Sequence, residues 1–158
     1  MPTFDNSATS TQLQVLARAY SATGSADYAE AFYRGLQLIF QAQYPNGGWP
    51  QSYPLRGGYH DHITLNDEVT ADILNLLLDV SQQTGDYAFV SEAVRQQARQ
   101  HFERGIALLL LLQVDTGQGL TLWAAQYQHR TLEPDSAGTA AQAWQPPDLA
   151  TVCRNRLQ

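Results

Sequence analysis

The chain has 158 residues, of which 44% are hydrophobic and 15% are charged, and its formal net charge is −6. This length and composition are typical of about one folded domain with a hydrophobic core, and they exclude an intrinsically disordered chain. The negative charge argues against a general nucleic-acid-binding protein, which requires a basic surface. It also implies that an acidic substrate would need a bridging cation or a local cluster of arginines.

Cysteine content and terminal sequence narrow the class further. Cys153 is the only cysteine, which excludes an internal disulfide and a cysteine-based zinc site. The first residues, Met1–Asn6, contain neither a basic region nor an apolar run, so no signal peptide is visible in this chain. The leucine run Leu108–Leu112 is too short to span a bilayer, and we expect no membrane association.

Apolar residues recur at helical spacing in four segments of the chain. Turns that contain glycine, Thr23–Ser25 and Thr84–Asp86, separate the first segment from the second and the third from the fourth. We predict helices over residues 9–22, 27–44, 67–83 and 88–113. The alternating segment Leu120–Tyr127 is predicted to form one short strand.

The four helices form two copies of one unit. The run Phe32-x-Arg34-Gly35-Leu36 recurs 70 residues later as Phe102-x-Arg104-Gly105-Ile106, and Asn6 precedes Asn66 by 60 residues. Such a repeat of helix hairpins is typical of an α/α solenoid or toroid. We therefore predict an all-α fold, an incomplete α/α toroid of two hairpins, over residues 1–127. Residues 128–158 contain three prolines and few apolar side chains, and we predict a loop-rich, weakly ordered segment there.

The loop between the two hairpins is the candidate functional region. Trp49 and Tyr53 place large rings in a connection where no core obviously needs them. Asn66, Asp67 and Glu68 then cluster amide and carboxylate oxygens where the third helix is predicted to begin. Aromatic rings beside clustered oxygen ligands indicate a carbohydrate site or a metal-ion site.

Structural interpretations of the same residues stay open. Asp67 and Glu68 would also complement the dipole of the third helix, with Thr64 as its cap. Asn66 could be a simple helix cap, and Trp49 could seal the end of the helix bundle. The two histidines around Asp61, His60 and His62, are favoured as hydrogen-bonding loop residues over a metal pair.

Four motifs in order resemble the family 10 pectate lyases, the pectic acid lyase family. They extend from about Asp5 to about Pro147 and are the runs Asp5-Asn6-x-Ala8-Thr9, Gln43-Tyr44-Pro45-Asn46-Gly47-Gly48-Trp49-Pro50-Gln51, Asp61-His62-Ile63-Thr64-Leu65-Asn66-Asp67 and Trp123-Ala124-Ala125-Gln126. The resemblance implies the central part of a catalytic domain that is an incomplete α/α toroid.

The resemblance also implies calcium-assisted β-elimination of polygalacturonate by a secreted or periplasmic protein. A cation holds the C6 carboxylate, a base removes the C5 proton, and the C4 oxygen leaves. On this basis we expect Asp67 and Glu68 to bind Ca²⁺. We expect the sugar-binding residues to be Trp49, Gln51, Tyr53 and Asn66.

Two departures from the family pattern affect the expected activity. Tyr127-Gln128 stands where the family has His-Asp, and Ala137–Ala141 lacks the arginine that the family tends to carry. The family's base is an arginine whose position we expect beyond Gln158, so no catalytic residue is assigned and the chain is expected to be a fragment. The alternatives are a non-catalytic polygalacturonate-binding remnant and a helical-repeat module that binds another protein.

Overall fold

The structure is a computed structural model, and it describes residues 2–115, 117 and 120–135. Its helices form two hairpins, since the first helix packs on the second and the third on the fourth. The predicted all-α class is confirmed. The helices are α1 (Ala8–Thr23), α2 (Ala26–Ala42), α3 (Val69–Gln82) and α4 (Glu92–Leu111). In the described part of the chain, none of the helices is long and apolar enough to cross a membrane.

The apolar faces that predicted the helices form the core. Phe32, Leu36 and Ile39 of α2 are at most 1% exposed, and so are Ile73 and Leu77 of α3. Burial of each such side chain contributes about 1.5–3 kcal/mol, so these two faces stabilise the core of the bundle. The predicted starts of the third and fourth helices are too early. The 3₁₀ turn Asn66–Glu68 occupies the predicted start of the third, and residues 88–91, which follow the 3₁₀ turn Gly85–Tyr87, are not helical.

Each hairpin has a glycine at the equivalent position of its second helix, facing the first helix. A Cβ atom at Gly35 would lie 2.5 Å from the side chain of Leu13, and one at Gly105 would lie 2.7 Å from that of Leu74. Each glycine therefore lets the two helices of its hairpin approach closely.

The repeat continues into the loops that follow α2 and α4. The indole nitrogen of Trp49 donates to the Ile39 carbonyl at 3.0 Å, and that of Trp123 donates to the Leu109 carbonyl at 2.8 Å. Ile39 and Leu109 lie 70 residues apart, the same interval that relates Gly35 to Gly105. In each copy a tryptophan side chain therefore hydrogen-bonds the loop to the helix that precedes it.

Short extended segments cover the end of the bundle where α1 and α3 begin. Strand β1 (Ile63–Thr64) pairs antiparallel with β4 (Gln126–Tyr127), and single bridges join Pro50 to Ile63 and Ser52 to Thr3. Strands β2 (Val114–Asp115) and β3 (Leu120–Leu122) form a separate antiparallel pair. The predicted strand 120–127 is therefore divided between two pairs.

Residues 128–135 pack on the central loop. The imidazole of His129 stacks on Tyr44 with ring centroids 5.0 Å apart, and the His129 carbonyl accepts from the Asn46 side chain at 2.8 Å. The predicted domain boundary at residue 127 stays a prediction. Residues 136–158 of the predicted tail lie outside the described residues.

The turn after α2 is fixed against α4. The Gln43 amide donates to the carbonyls of Gly47 and His101, each at 2.9 Å, and its oxygen accepts from His101 Nδ1 at 2.7 Å. Gly47 has φ 101°, and a Cβ atom there would collide with the Arg104 carbonyl. The Pro45–Gly48 turn is therefore a packing device that requires glycine at residue 47.

Replacing Gly47 with alanine is expected to destabilise the fold more than the same change at Gly24. Both residues have positive φ, which costs a substituted alanine about 1–2 kcal/mol, but a Cβ at Gly24 meets nothing within 4 Å. The collision with Arg104 should add about 1–3 kcal/mol of overpacking. Denaturant unfolding of both variants measures the difference, and equal losses would show that the turn is not packed against α4.

The stability of the chain is expected to fall as the pH decreases from 6.5 towards 4 because of His101. Its ring stacks on Phe40 at 4.4 Å, and burial lowers the pKa of His101 to about 4, with the Arg104 charge acting in the same direction. The unfolded chain takes up a proton near the ordinary pKa of 6.5, whereas the folded chain does so only near 4. His101 therefore contributes to stability above pH 6.5, and this contribution is lost as the pH falls from 6.5 to about 4.

The test is the melting temperature between pH 4 and 7 of the wild type and of His101→Gln, which cannot titrate. The melting temperature of the wild type should decrease more on acidification than that of the variant. Parallel curves for the two proteins would exclude His101 as the source of the pH dependence.

Candidate functional site

Helices α1 and α3 each begin with a turn in which two consecutive residues are left-handed. Asn6 and Ser7 have φ 48° and 60° before α1, and Asp67 and Glu68 have φ 51° and 60° before α3. A left-handed residue other than glycine costs about 1–2 kcal/mol, so the surrounding structure must enforce this shape. We call Asp5–Ser7 the first kink and Asn66–Glu68 the second kink.

A threonine clamps each kink in the same way. The Thr9 hydroxyl donates to the Thr3 carbonyl at 2.6 Å, and the Thr70 hydroxyl donates to the Thr64 carbonyl at 2.7 Å. The repeat interval here is 61 residues, so the predicted equivalence of Asn6 with Asn66 is wrong by one position. Asn6 corresponds to Asp67 instead, because each is the first left-handed residue of its kink.

The two kinks are in contact, and oxygen atoms near them lack a donor. Asp5 Oδ1 in the first kink, Asn66 Oδ1 in the second and Asp72 Oδ2 in the first turn of α3 are buried without a hydrogen-bond partner. A buried polar atom without a partner costs about 1–3 kcal/mol. These oxygens would be satisfied by a cation or by a donor from a ligand.

Asp67 and Glu68 are exposed beside the buried oxygens. The Asn66 side-chain nitrogen donates to Asp67 Oδ2 at 2.6 Å, which holds the carboxylate next to the amide. No side chain caps α3, and the Thr64 hydroxyl donates instead to the His62 carbonyl at 3.0 Å. The interpretation of Thr64 as the cap of this helix is therefore wrong.

The prediction that Trp49 lines a sugar cleft is wrong. Its indole is fully buried, and its ring lies where a Cβ atom at Gly105 would contact it. Gln51 is also largely buried, and its Oε1 accepts from His60 Nδ1 at 2.8 Å. Tyr53 is partly buried against the core. The indole packs inside the helix bundle, which agrees with the alternative interpretation that Trp49 seals the end of the bundle.

The two histidines of the central loop bind different partners. His60 contacts Gln51, whereas His62 Nδ1 lies 2.9 Å from Asp135 Oδ2. They act as hydrogen-bonding residues, as favoured from the sequence. Across residues 2–115, 117 and 120–135, no group of three or more His, Cys, Asp or Glu side chains could hold a metal ion.

The residues of the kinks nevertheless fit a calcium ion by their chemistry. Ca²⁺ takes six to eight hard oxygen ligands, and the two kinks offer carboxylate and amide oxygens from Asp5, Asn66 and Asp67. Such a set is too small to complete the coordination shell. A cation here would need further oxygens from water and from a bound ligand.

The first kink is the part of this site that sequence reasoning did not assign. The signal was present in the repeat, because Thr3 and Thr9 have the same six-residue spacing as Thr64 and Thr70. Aligning the copies on those threonines places Asp5 opposite Asn66. The left-handed backbone has only a weak sequence signature here, since asparagine tolerates it at Asn6 but serine does not favour it at Ser7.

Comparison with known proteins gives a consistent family and fold. The family described as pectic acid lyase matches residues 1–152. The structure resembles two forms of the family 10 polysaccharide lyase from Cellvibrio cellulosa, each with a TM-score of 0.80. One is a mutant in complex with trigalacturonic acid, at 30% sequence identity, and the other is 31% identical. No curated protein matches the chain.

The matched region is a large share of this chain but a smaller share of each Cellvibrio chain. They cover 83% of this chain but only 42% and 41% of the two Cellvibrio chains, so the present chain spans less than half of their length. The likeness confirms the predicted helical toroid segment. The chain belongs to the pectic acid lyase family.

Proposed function

We propose that the chain binds oligogalacturonate through a calcium ion held at the two kinks, and that this binding serves the β-elimination of polygalacturonate. The observation that carries the proposal is the meeting of two kinks whose buried oxygens, Asp5 Oδ1 and Asn66 Oδ1, lack donors. The bound trigalacturonic acid of the Cellvibrio mutant supports the same class of ligand.

The charge of the chain supports a bridging cation. A protein of net charge −6 and a polyanionic sugar repel each other, and a divalent ion between them removes that repulsion. When bound, Ca²⁺ would withdraw electron density from the sugar carboxylate and so acidify the C5 proton. Asp67, with Asp5 and the Asn66 amide, would hold this ion.

The small protein donor set suggests that ion and sugar bind together. Because protein oxygens alone do not complete a calcium shell, a galacturonate carboxylate would supply some of the missing ligands. Each ligand would then raise the affinity of the chain for the other. Exposed Glu68 stands next to this position and Tyr53 is only partly buried, and we place the first sugar contacts at these two side chains.

The second candidate is polygalacturonate binding without catalysis. The described arginines of the helices are largely engaged, since Arg18, Arg34, Arg95 and Arg99 form ion pairs with carboxylates. We assign the proton-abstracting group to none of these four. A secreted or periplasmic location follows from the substrate and forms part of the same proposal under either candidate.

Asp67→Asn is expected to weaken calcium-dependent binding of trigalacturonic acid by at least about tenfold, or about 1.4 kcal/mol. The reason is the loss of a charged oxygen ligand. Asp27→Asn is the matched control, because it removes the same charge from the first turn of α2, away from either kink. Calorimetric titration with and without a chelator measures both variants.

Equal weakening in the two variants would reduce Asp67 to a helix-terminal charge and contradict the calcium site. The same samples, mixed with polygalacturonate and Ca²⁺, distinguish the two candidates. Catalysis gives a rise in ultraviolet absorbance from the unsaturated product. Retention of the polymer without that rise supports the binding protein.

A further inference from the structure

Each kink is held in place by the carbonyl of a neighbouring extended segment. The Gln51 carbonyl accepts from the Phe4 amide at 2.9 Å and from the Thr3 hydroxyl at 3.2 Å. The Ala125 carbonyl accepts from the Leu65 amide at 2.8 Å and from the Asn66 amide at 3.1 Å. The backbone entering each kink therefore depends on where these two segments lie.

One histidine fixes each of these two segments. His60 Nδ1 donates to the side chain of Gln51 itself, at 2.8 Å. His62 Nδ1 lies 2.9 Å from Asp135 Oδ2, and the Asp135 amide donates to the Gln126 carbonyl at 3.0 Å, one residue from Ala125. His60 and His62 are therefore each linked to one of the two segments whose carbonyls bind the kinks.

The residue between the histidines is itself fixed. Asp61 is 8% exposed, and its carboxylate accepts from the amides of Arg56 and Gly57 at 3.0 and 2.8 Å. Its carbonyl accepts from the Tyr44 hydroxyl at 2.6 Å. Hydrogen bonds to its carboxylate and to its carbonyl therefore hold the residue between the two histidines in place.

The His62–Asp135 pair is shielded from solvent. The side chains are 14% and 9% exposed, so water competes less with their hydrogen bond than with the surface pairs on the helices. The Gln126 side chain adds a bond to the Thr64 hydroxyl at 3.1 Å. Together these contacts connect residues 126–135 to the strand that enters the second kink.

We propose that His62 is a positioning residue: with Asp135 it sets the place of the Ala125 carbonyl and so the geometry of the Asn66–Glu68 kink. It acts through these residues and touches neither the ion nor the sugar. His60 performs the corresponding task for the first kink through Gln51. The link to ligand binding rests on the proposed function, whereas the effect on the kink does not.

The experiment compares His62→Ala with His62→Asn in the full chain. The Asn side-chain nitrogen takes the place of Nδ1 and can still donate to Asp135, whereas Ala removes the bond. Glu30→Gln is the control, because it breaks an ion pair of similar length, 2.8 Å, on the exposed face of α2. Amide hydrogen exchange without any ligand and calorimetric titration with trigalacturonic acid and Ca²⁺ are measured on all three.

In His62→Ala, exchange at the Leu65 and Asn66 amides should accelerate about tenfold or more while the amides of α2 keep their protection. Affinity for trigalacturonic acid with Ca²⁺ should fall about tenfold, as for other residues that orient a metal ligand. His62→Asn and Glu30→Gln should stay near the wild type in both measurements.

Three results would overturn the proposal. They are unchanged exchange at Leu65 and Asn66 in His62→Ala, an equal acceleration throughout α2, and no rescue by His62→Asn. If the wild type itself does not bind trigalacturonic acid, the proposed function fails. The exchange measurement then still decides whether His62 positions the kink.

Discussion

Two consecutive left-handed residues at the start of a helix are the constraint on which the site depends. Neither Asp67 nor Glu68 is a glycine, so the second kink costs about 2–4 kcal/mol that its surroundings must offset. The Thr70 hydroxyl, which donates to the Thr64 carbonyl, and the Ala125 carbonyl, which accepts from the Leu65 and Asn66 amides, supply that support. Strained backbone that is held in this way is characteristic of functional sites.

The duplication explains why the site is built where it is. Each hairpin alone has one kink, one threonine clamp and one returning tryptophan, and the packing of one hairpin on the other brings the two kinks together. Asp5 and Asn66 then occupy equivalent positions and leave buried oxygens without donors. Under the proposed function, oxygens from both repeats would together hold an ion that neither repeat could bind alone.

The sequence predicted the helices and the repeat well because apolar spacing determines both. The faces around Leu36 and Ile73 are periodic, and long-range packing only reinforces that pattern. The family resemblance also held over most of the chain. These features depend on residues that are close in the sequence or on motifs of several residues.

Details that depend on distant contacts could not be predicted in the same way. Trp49 appears in a polar loop, yet its ring enters the core because Gly105, 56 residues away, leaves room for it. The kink at Asp67 and Glu68 is left-handed backbone that aspartate tolerates but glutamate does not favour, so the sequence marks it only weakly. Residues 128–135 have few apolar side chains, and their order comes from partners such as Tyr44 and His62.

The central claim is that oxygens from both kinks bind a calcium ion that also binds galacturonate. The most direct test is a crystal structure of the chain with Ca²⁺ and trigalacturonic acid. The account predicts a calcium ion about 2.3–2.6 Å from oxygens of the Asp5–Ser7 and Asn66–Glu68 kinks and from a sugar carboxylate. Calcium bound elsewhere, or bound sugar with no ion at the kinks, would contradict it.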